Sequence, residues 1–242
     1  MSLFDTHCHL ADPDLFPERD EIIRRAKENG VNLILTVGYD SATNQRSIEI
    51  AEENDSVYCA VGVHPNEGED LLDLPQGQKV VAIGETGLDY YRDQVDQRTQ
   101  IERFLRHIEI ARERTLPLII HTRKAFSDII PIVINEGYYR GVFHCYSGDL
   151  DTALKLTNLG FYISFSGSII YGSRRLQKIL RNIPDDRILI ETDSPYISPF
   201  RGRKNEPANL KIIAEYVARI LKRDFDEVAR MVTENGKRLF KI

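Results

Sequence analysis

Eight short apolar runs, nearly unbroken by polar residues, recur along this 242-residue chain. They lie at Leu3–Asp5, Leu33–Gly38, Tyr58–Val63, Val80–Gly84, Leu118–His121, Val142–His144, Tyr162–Ser166 and Ile188–Glu191. Runs that are aliphatic and β-branched but do not alternate with polar residues are expected of strands buried on both faces. Between them the apolar period changes to that of a helix. Ile22, Ile23 and Ala26 precede a stop at Gly30, and Ile101, Phe104, Leu105, Ile108 and Ala111 recur at i, i+3, i+4 and i+7. Leu154, Leu156 and Leu159 run into Gly160, another helix stop. Two further helices, around Leu210–Leu221 and Phe225–Phe240, close the chain. With no Pro/Gly/Ser linker and no charge block, residues 1–242 read as one α/β domain, for which a single (β/α)8 TIM barrel of about 250 residues is the expected architecture. An open doubly wound sheet has the same local signature. It cannot easily bring its first and last strands together, whereas a barrel opens every strand end on one face.

The residues just past the apolar runs favour the barrel. Histidine is scarce, six in all, and five of them sit at such positions: His7 and His9 in FDTHCHL, His64 in AVGVHP, His121 in LIIHTR and His144 in GVFHCYSG. Glu85 in VVAIGETGLDYY and Asp193 in ILIETDSPY take the same position. Residues i and i+2 of a strand share a side, so His7 and His9 face together and Cys8 faces the other way, packed between strand and helix. Alone, an HxH pair is as well explained by two structural histidines, and an isolated acid by helix capping or an ion pair. Seven such groups at matching strand ends are better explained by a metal site at the barrel mouth. Glu191 competes with Asp193, which lies nearer the end of its strand. His64 reads either as a ligand or as a donor to a substrate oxygen. His107, on a helical stretch, is expected at the surface or helix edge with no chemical role. Imidazoles and carboxylates without thiolate suit Zn2+, Mn2+ or Mg2+. Two such ions about 3.5–4 Å apart clamp an in-line displacement.

Composition sets limits. The chain is 42% hydrophobic and 29% charged with a net charge of −5, so no global basic field advertises nucleic acid. Three cysteines without a CxxC pair argue against a disulfide framework and for a reducing, cytoplasmic setting. The sequence passes from MSL directly into the first run, leaving no room for a signal peptide, and no apolar stretch reaches the roughly 20 residues of a membrane span. Nothing points to a membrane or to an obligatory protein partner. Arg123, Arg174, Arg175, Arg201, Arg203 and Lys204 fall in mouth-side loops, together with Tyr90, Tyr91, Tyr146, Tyr171 and Phe200, which could stack on bases.

Taken together, DTHCHL, GVHP, GETGLDYY, HTR, FHCYSG, ETDSPY and RGRKNEP resemble the TatD family of metal-dependent deoxyribonucleases within the amidohydrolase superfamily. The motifs occur in order from Asp5 to the C-terminal TENGKRLF. The resemblance implies a barrel of the metallo-dependent hydrolase type with two divalent ions. His7, His9 and Asp193 would hold one ion and His121 and His144 the other. Glu85 would bridge them, where some relatives use a carboxylated lysine, and His64 would sit near the substrate phosphate. The stretch FSGSIIYGSRRLQKIL departs from the family by its tyrosine and paired arginines. The implied activity is metal-dependent hydrolysis of DNA, trimming single-stranded or frayed 3′ ends. Glu85 and Asp193 would be catalytic, Asp193 accepting the water's proton, while His64 and Arg123 bind phosphate. Two alternatives remain. The same centre could cleave another ester or amide, such as a mis-acylated D-aminoacyl-tRNA, or the barrel could bind metal or nucleic acid without catalysis.

Overall fold

The computed structural model describes residues 2–68, 74–92 and 94–242. Its strands are β1 (Leu3–Cys8), β2 (Val31–Val37), β3 (Val57–Val61), β4 (Val80–Asp89), β5 (Leu118–Arg123), β6 (Gly141–Phe143), β7 (Tyr162–Phe165) and β8 (Ile188–Ile190). All neighbours pair in parallel and in sequential order. The first and last strands are brought together. Thr6 Oγ1 donates to the Ile190 carbonyl at 2.9 Å, and Thr192 donates its N–H and its hydroxyl to the Asp5 carboxylate at 2.9 and 2.6 Å. Beyond the strands, Asp193 N–H donates to His7 O and His9 N–H to Ser194 O. The result is the nearly closed barrel that the run pattern predicts.

The helices are α1 (Arg19–Glu28), α2 (Ser41–Glu53), α3 (Gln97–Arg114), α4 (Phe126–Glu136), α5 (Leu150–Leu159), α6 (Arg174–Leu180), α7 (Leu210–Leu221) and α8 (Phe225–Phe240). α5 shows how local chemistry sets bounds: Asp149 accepts the Thr152 N–H at one end, and Gly160 takes φ +115° at the other. The expected alternation is broken once, because the described residues between β3 and β4 form no helix. Among the described residues no helix is long and apolar enough to cross a membrane.

Apolar side chains divide into two layers. One set, including Leu3, Ile34, Ile83, Leu118 and Ile190, packs outward against the helices. A smaller set, including Phe4, Leu35, Ile119, Val142 and Leu189, fills the barrel with Leu239 and Phe240 from α8. Phe4 meets Phe240 edge-on at 5.9 Å, so the last helix plugs one end and leaves the other for chemistry. Truncating Phe4 to alanine there costs about 3–5 kcal/mol.

Simple alternation from the inward Phe4 would turn His7 outward. A register irregularity prevents this. Asp5 pairs with Ile34 but Cys8 with Thr36, so β1 advances three residues while β2 advances two. This bulge inverts the phase of the strand: Cys8 packs in the outer layer and its thiol donates to Leu35 O, while His7 and His9 face the axis. β4 does the same. Ile83 pairs with Leu118 and Thr86 with Ile120, which turns Glu85 inward although Ile83 faces out. β5, β6 and β8 need no such device, since Ile119 and His121, Val142 and His144, and Leu189, Glu191 and Asp193 keep one parity.

Candidate metal centre

Glu85 stands at the middle of the site and is nearly fully buried. Its two oxygens face different neighbours. Oε2 lies 3.6 Å from His7 Nε2 and 3.5 Å from His9 Nε2. Oε1 lies 2.8 Å from His121 Nδ1 and 2.9 Å from His144 Nε2. Asp193 Oδ1 completes the first group at 3.6 and 3.5 Å from the same nitrogens of His7 and His9, which are 3.2 Å apart. For metal–ligand bonds of about 2.1 Å, the edge of a tetrahedron is about 3.4 Å. The first group therefore has the spacing of donors around one ion. The second is tighter, with His121 Nδ1 and His144 Nε2 at 3.2 Å and both at hydrogen-bonding distance from the carboxylate. Both groups fit a divalent cation by donor type, and the sequence-derived set of six comes together as a unit.

Tautomers separate donors from ligands. His9 Nδ1 donates to Val37 O at 2.8 Å, leaving the Nε2 lone pair for the centre. His121 Nε2 lies 3.3 Å from Asp89 Oδ2, which leaves Nδ1 as its inward atom. His64 is the reverse case: its Nδ1 accepts the Asn66 N–H at 3.2 Å, so in the neutral ring Nε2 carries the proton. Burial pushes His64 down to about 3 and keeps it neutral. In that tautomer Nε2, 3.7 Å from Glu85 Oε1, can donate a hydrogen bond, while His64, Glu85 and His121 also lie close enough together to share an ion.

Charge is concentrated here. Burial alone would raise Glu85, but His144 and His121 hold its carboxyl well below the usual range. Burial would lower His144, yet the Glu85 and Glu191 carboxylates hold it well above an ordinary histidine. For Asp193 burial is likewise outweighed, by His9 and His7, and its carboxyl is lowered. Ions that enter such a site replace protons held by these imidazoles.

The surrounding cleft encloses about 580 Å3 and is lined by His64, Asp193, Arg92 and Arg123 among others. Arg123 stacks on Tyr91 at 3.8 Å from the ring centre. All four large hydrophobic side chains exposed among the described residues, Tyr91, Tyr171, Tyr196 and Phe200, stand on the segments that follow strand ends. Arg201 lies over Tyr171 and Arg203 over Phe200. Other expected rim groups are elsewhere. Tyr146 is buried and donates to Asp149 O, and Tyr90 packs on the outer layer with its hydroxyl on Asp128. Arg174 and Arg175 line a separate depression with Asp149, and Lys204 donates to Asp14 O.

The expectation for His107 is overturned. His107 is fully buried, not at the surface: Nε2 accepts the Val63 N–H at 3.0 Å and Nδ1 donates to Arg103 O at 2.8 Å. Its neutral ring ties α3 to the loop before His64, and burial pushes it down to about 4. Glu191 lies behind His144, accepting the Cys145 N–H at 2.6 Å, while Asp193 faces His7 and His9. Asp89, missed from sequence, accepts the Tyr91 N–H as well as facing His121. A signal for it exists, because 85, 87 and 89 share one side of β4. Asp12 also escapes sequence reasoning; it accepts the hydroxyls of Tyr39 and Tyr196 at 3.2 and 3.0 Å, and both rings stand edge-on to His9.

A parallel barrel with imidazoles and carboxylates gathered at the strand ends is the architecture of a metal-dependent hydrolase. The model of the TatD-related DNase family matches residues 4–241, and the chain belongs to that family. It is 40% identical over 253 residues to the uncharacterized metal-dependent hydrolase YabD of Bacillus subtilis, covering 99% of both chains. It is 30% identical over 263 residues to the human deoxyribonuclease TATDN3, covering 99% of this chain and 95% of that one. The crystal structure of YjjV, a TatD homologue from Escherichia coli, superposes with a TM-score of 0.92 at 25% identity, over 99% of this chain and 98% of the other.

Proposed function

We propose that this metal-dependent hydrolase of the TatD family is a deoxyribonuclease that uses two divalent ions to trim single-stranded or frayed 3′ ends. The observation that carries the reading is the division of Glu85, one oxygen toward His7 and His9 and the other toward His121 and His144. Two ions, each Mg2+, Mn2+ or Zn2+, would supply Lewis acidity toward the substrate's oxygens and lower the pKa of a water toward neutrality. His7, His9 and Asp193 would hold one, His121 and His144 the other, with Glu85 shared. Asp193 accepts the proton of the attacking water. His64 donates Nε2–H to a non-bridging phosphate oxygen, and Arg123, braced on Tyr91, meets phosphate at the rim. Exposed aromatic rings backed by arginine suit unstacked bases, and a cleft of small-ligand size suits a frayed strand rather than a duplex. TATDN3, the human relative, is named as a deoxyribonuclease, which supports the same substrate class. Three free cysteines accord with a reducing, cytoplasmic setting.

The test is digestion of end-labelled single- and double-stranded oligonucleotides by metal-free protein supplied with Mg2+, Mn2+ or Zn2+, beside ester, lactone and D-aminoacyl-tRNA substrates. Shortening of single strands from the 3′ end is expected. Turnover of carbonyl substrates alone would show that the bond has been misassigned. Binding of DNA without cleavage under every metal would favour a non-catalytic barrel.

A further inference from the structure

A metal-ligating imidazole is oriented by whatever accepts the proton on its other nitrogen. His9 gives that proton to Val37 O, and His121 faces Asp89. His7 and His144 differ: the Nδ1 of each is buried and has no hydrogen-bond partner among the described residues. Their rings stack at 4.0 Å with 6° between the planes. Both Nε2 atoms face Glu85, so both Nδ1 atoms look away from it.

Glu191 lies beside them. It shares the inward parity of Leu189 and Asp193 and is 1% exposed. A nitrogen of His7, a nitrogen of His144 and an oxygen of Glu191 lie within 4.8 Å of one another, and His144 Nδ1 is 3.5 Å from Glu191 Oε1. The Cys145 N–H at 2.6 Å uses one of the carboxylate's roughly four lone-pair directions. A buried carboxylate with so few donors is costly, and so are two buried imidazole N–H groups without acceptors. Each deficit answers the other.

We propose that Glu191 is a positioning residue for both halves of the centre, its carboxylate accepting Nδ1–H from His7 and from His144 and so fixing Nε2 of each toward Glu85. The inference rests on the metal-centre reading, in which those Nε2 atoms are ligands. Closing 3.5 Å to about 2.8 Å requires only a small shift of the His144 ring. Because His7 belongs with His9 and Asp193 while His144 belongs with His121, loss of this one carboxylate weakens both halves together.

Calorimetric titration of metal-free protein with Zn2+ tests this in wild type and Glu191→Gln, alongside thermal melting of both metal-free forms. The glutamine oxygen can still accept the Cys145 N–H, but its amide turns donors toward rings that must donate. Two ions per wild-type chain are expected, with both steps about 10- to 100-fold weaker in the variant. Long-range 1H–15N spectra of the zinc-loaded wild type should place slowly exchanging protons on Nδ1 of His7 and His144. Unchanged affinity at both steps overturns the proposal, as does weakening confined to one. Should the variant fail to fold, the wild-type spectra still decide, since an unprotonated Nδ1 on either ring is incompatible with it. A wild type that takes up no zinc overturns the metal-centre reading itself, a result distinct from equal affinities.

Discussion

The two halves of the centre use the same side-chain types but differ in spacing. Around His7, His9, Asp193 and Glu85 Oε2 the donor atoms stand 3.2–3.6 Å apart, close to what a single ion demands. Around His121, His144 and Glu85 Oε1 they have closed to 2.8, 2.9 and 3.2 Å, two of them hydrogen-bond lengths. The difference lies in what else restrains each group. β1 holds His7 and His9 as neighbours on one strand, and the Asp193 backbone is hydrogen-bonded to His7 O. His121 and His144 come from separate strands, tied by the His144 N–H to Ile120 O, and their ring nitrogens converge on one oxygen of Glu85. On the two-ion proposal the first half is preorganised for its ion, while the second would have to open and give up a proton.

The largest consequence concerns catalysis. Asp193→Asn should lower kcat by about 10²–10⁴-fold with the fold intact by circular dichroism, because it removes the proposed proton acceptor. His121→Ala removes one nitrogen of the more closely spaced half, and its activity should recover in part with excess metal where Asp193→Asn does not. Equal recovery in steady-state assays would make the halves equivalent.

His107 supplies a control, an imidazole just as buried but bonded only within the scaffold. Its pKa falls from 6.5 to about 4 on folding, so between those values the unfolded chain binds more protons. Stability is complete above about pH 6.5 and drops as pH falls toward 4, by about 3 kcal/mol. Urea melts of metal-free wild type and His107→Gln at several pH values should differ by that slope. Parallel slopes would mean that His107 is not held neutral.

The smallest effect is the affinity gap expected between the two proposed ions. Breaking the hydrogen bonds of Glu85 with His121 and His144 costs on the order of 1–2 kcal/mol, so a second step about tenfold weaker than the first is expected. His121 and His144 are both raised, burial notwithstanding, by Asp89, Glu85 and Glu191, so that step should weaken further as pH falls. His9→Ala should abolish the tighter step and His121→Ala the weaker one. A single isotherm with one affinity at every pH would erase the contrast.

Much of this is legible in the sequence, though unevenly. The bounds of α7 and α8 match those read from periodicity, because both helices have a strong apolar face and clear ends. His121, His144 and Asp193 stand out by their place at the ends of apolar runs. β4 runs to Asp89, past the expected end at Gly84, because Gly84 and Gly87 allow β5 to come close; a Cβ on Gly87 would stand 2.0 Å from His121 O. His107 defeats sequence reasoning although Phe104, His107, Ile108 and Ala111 recur at helical spacing. Its polarity argues for the surface and its position for the core, and the hydrogen bond that makes burial tolerable comes from a distant loop.

The bulges in β1 and β4 act as half-period phase slips, below which each strand keeps step with the barrel filling and above which it keeps step with the metal centre. The two rhythms are thereby uncoupled, so the inner packing can change composition without rotating an imidazole or a carboxylate out of place. Deleting one residue at either slip would preserve the hydrophobicity of the strand and silence the site. At these two points the length of the chain is as much a part of its chemistry as the identity of its residues.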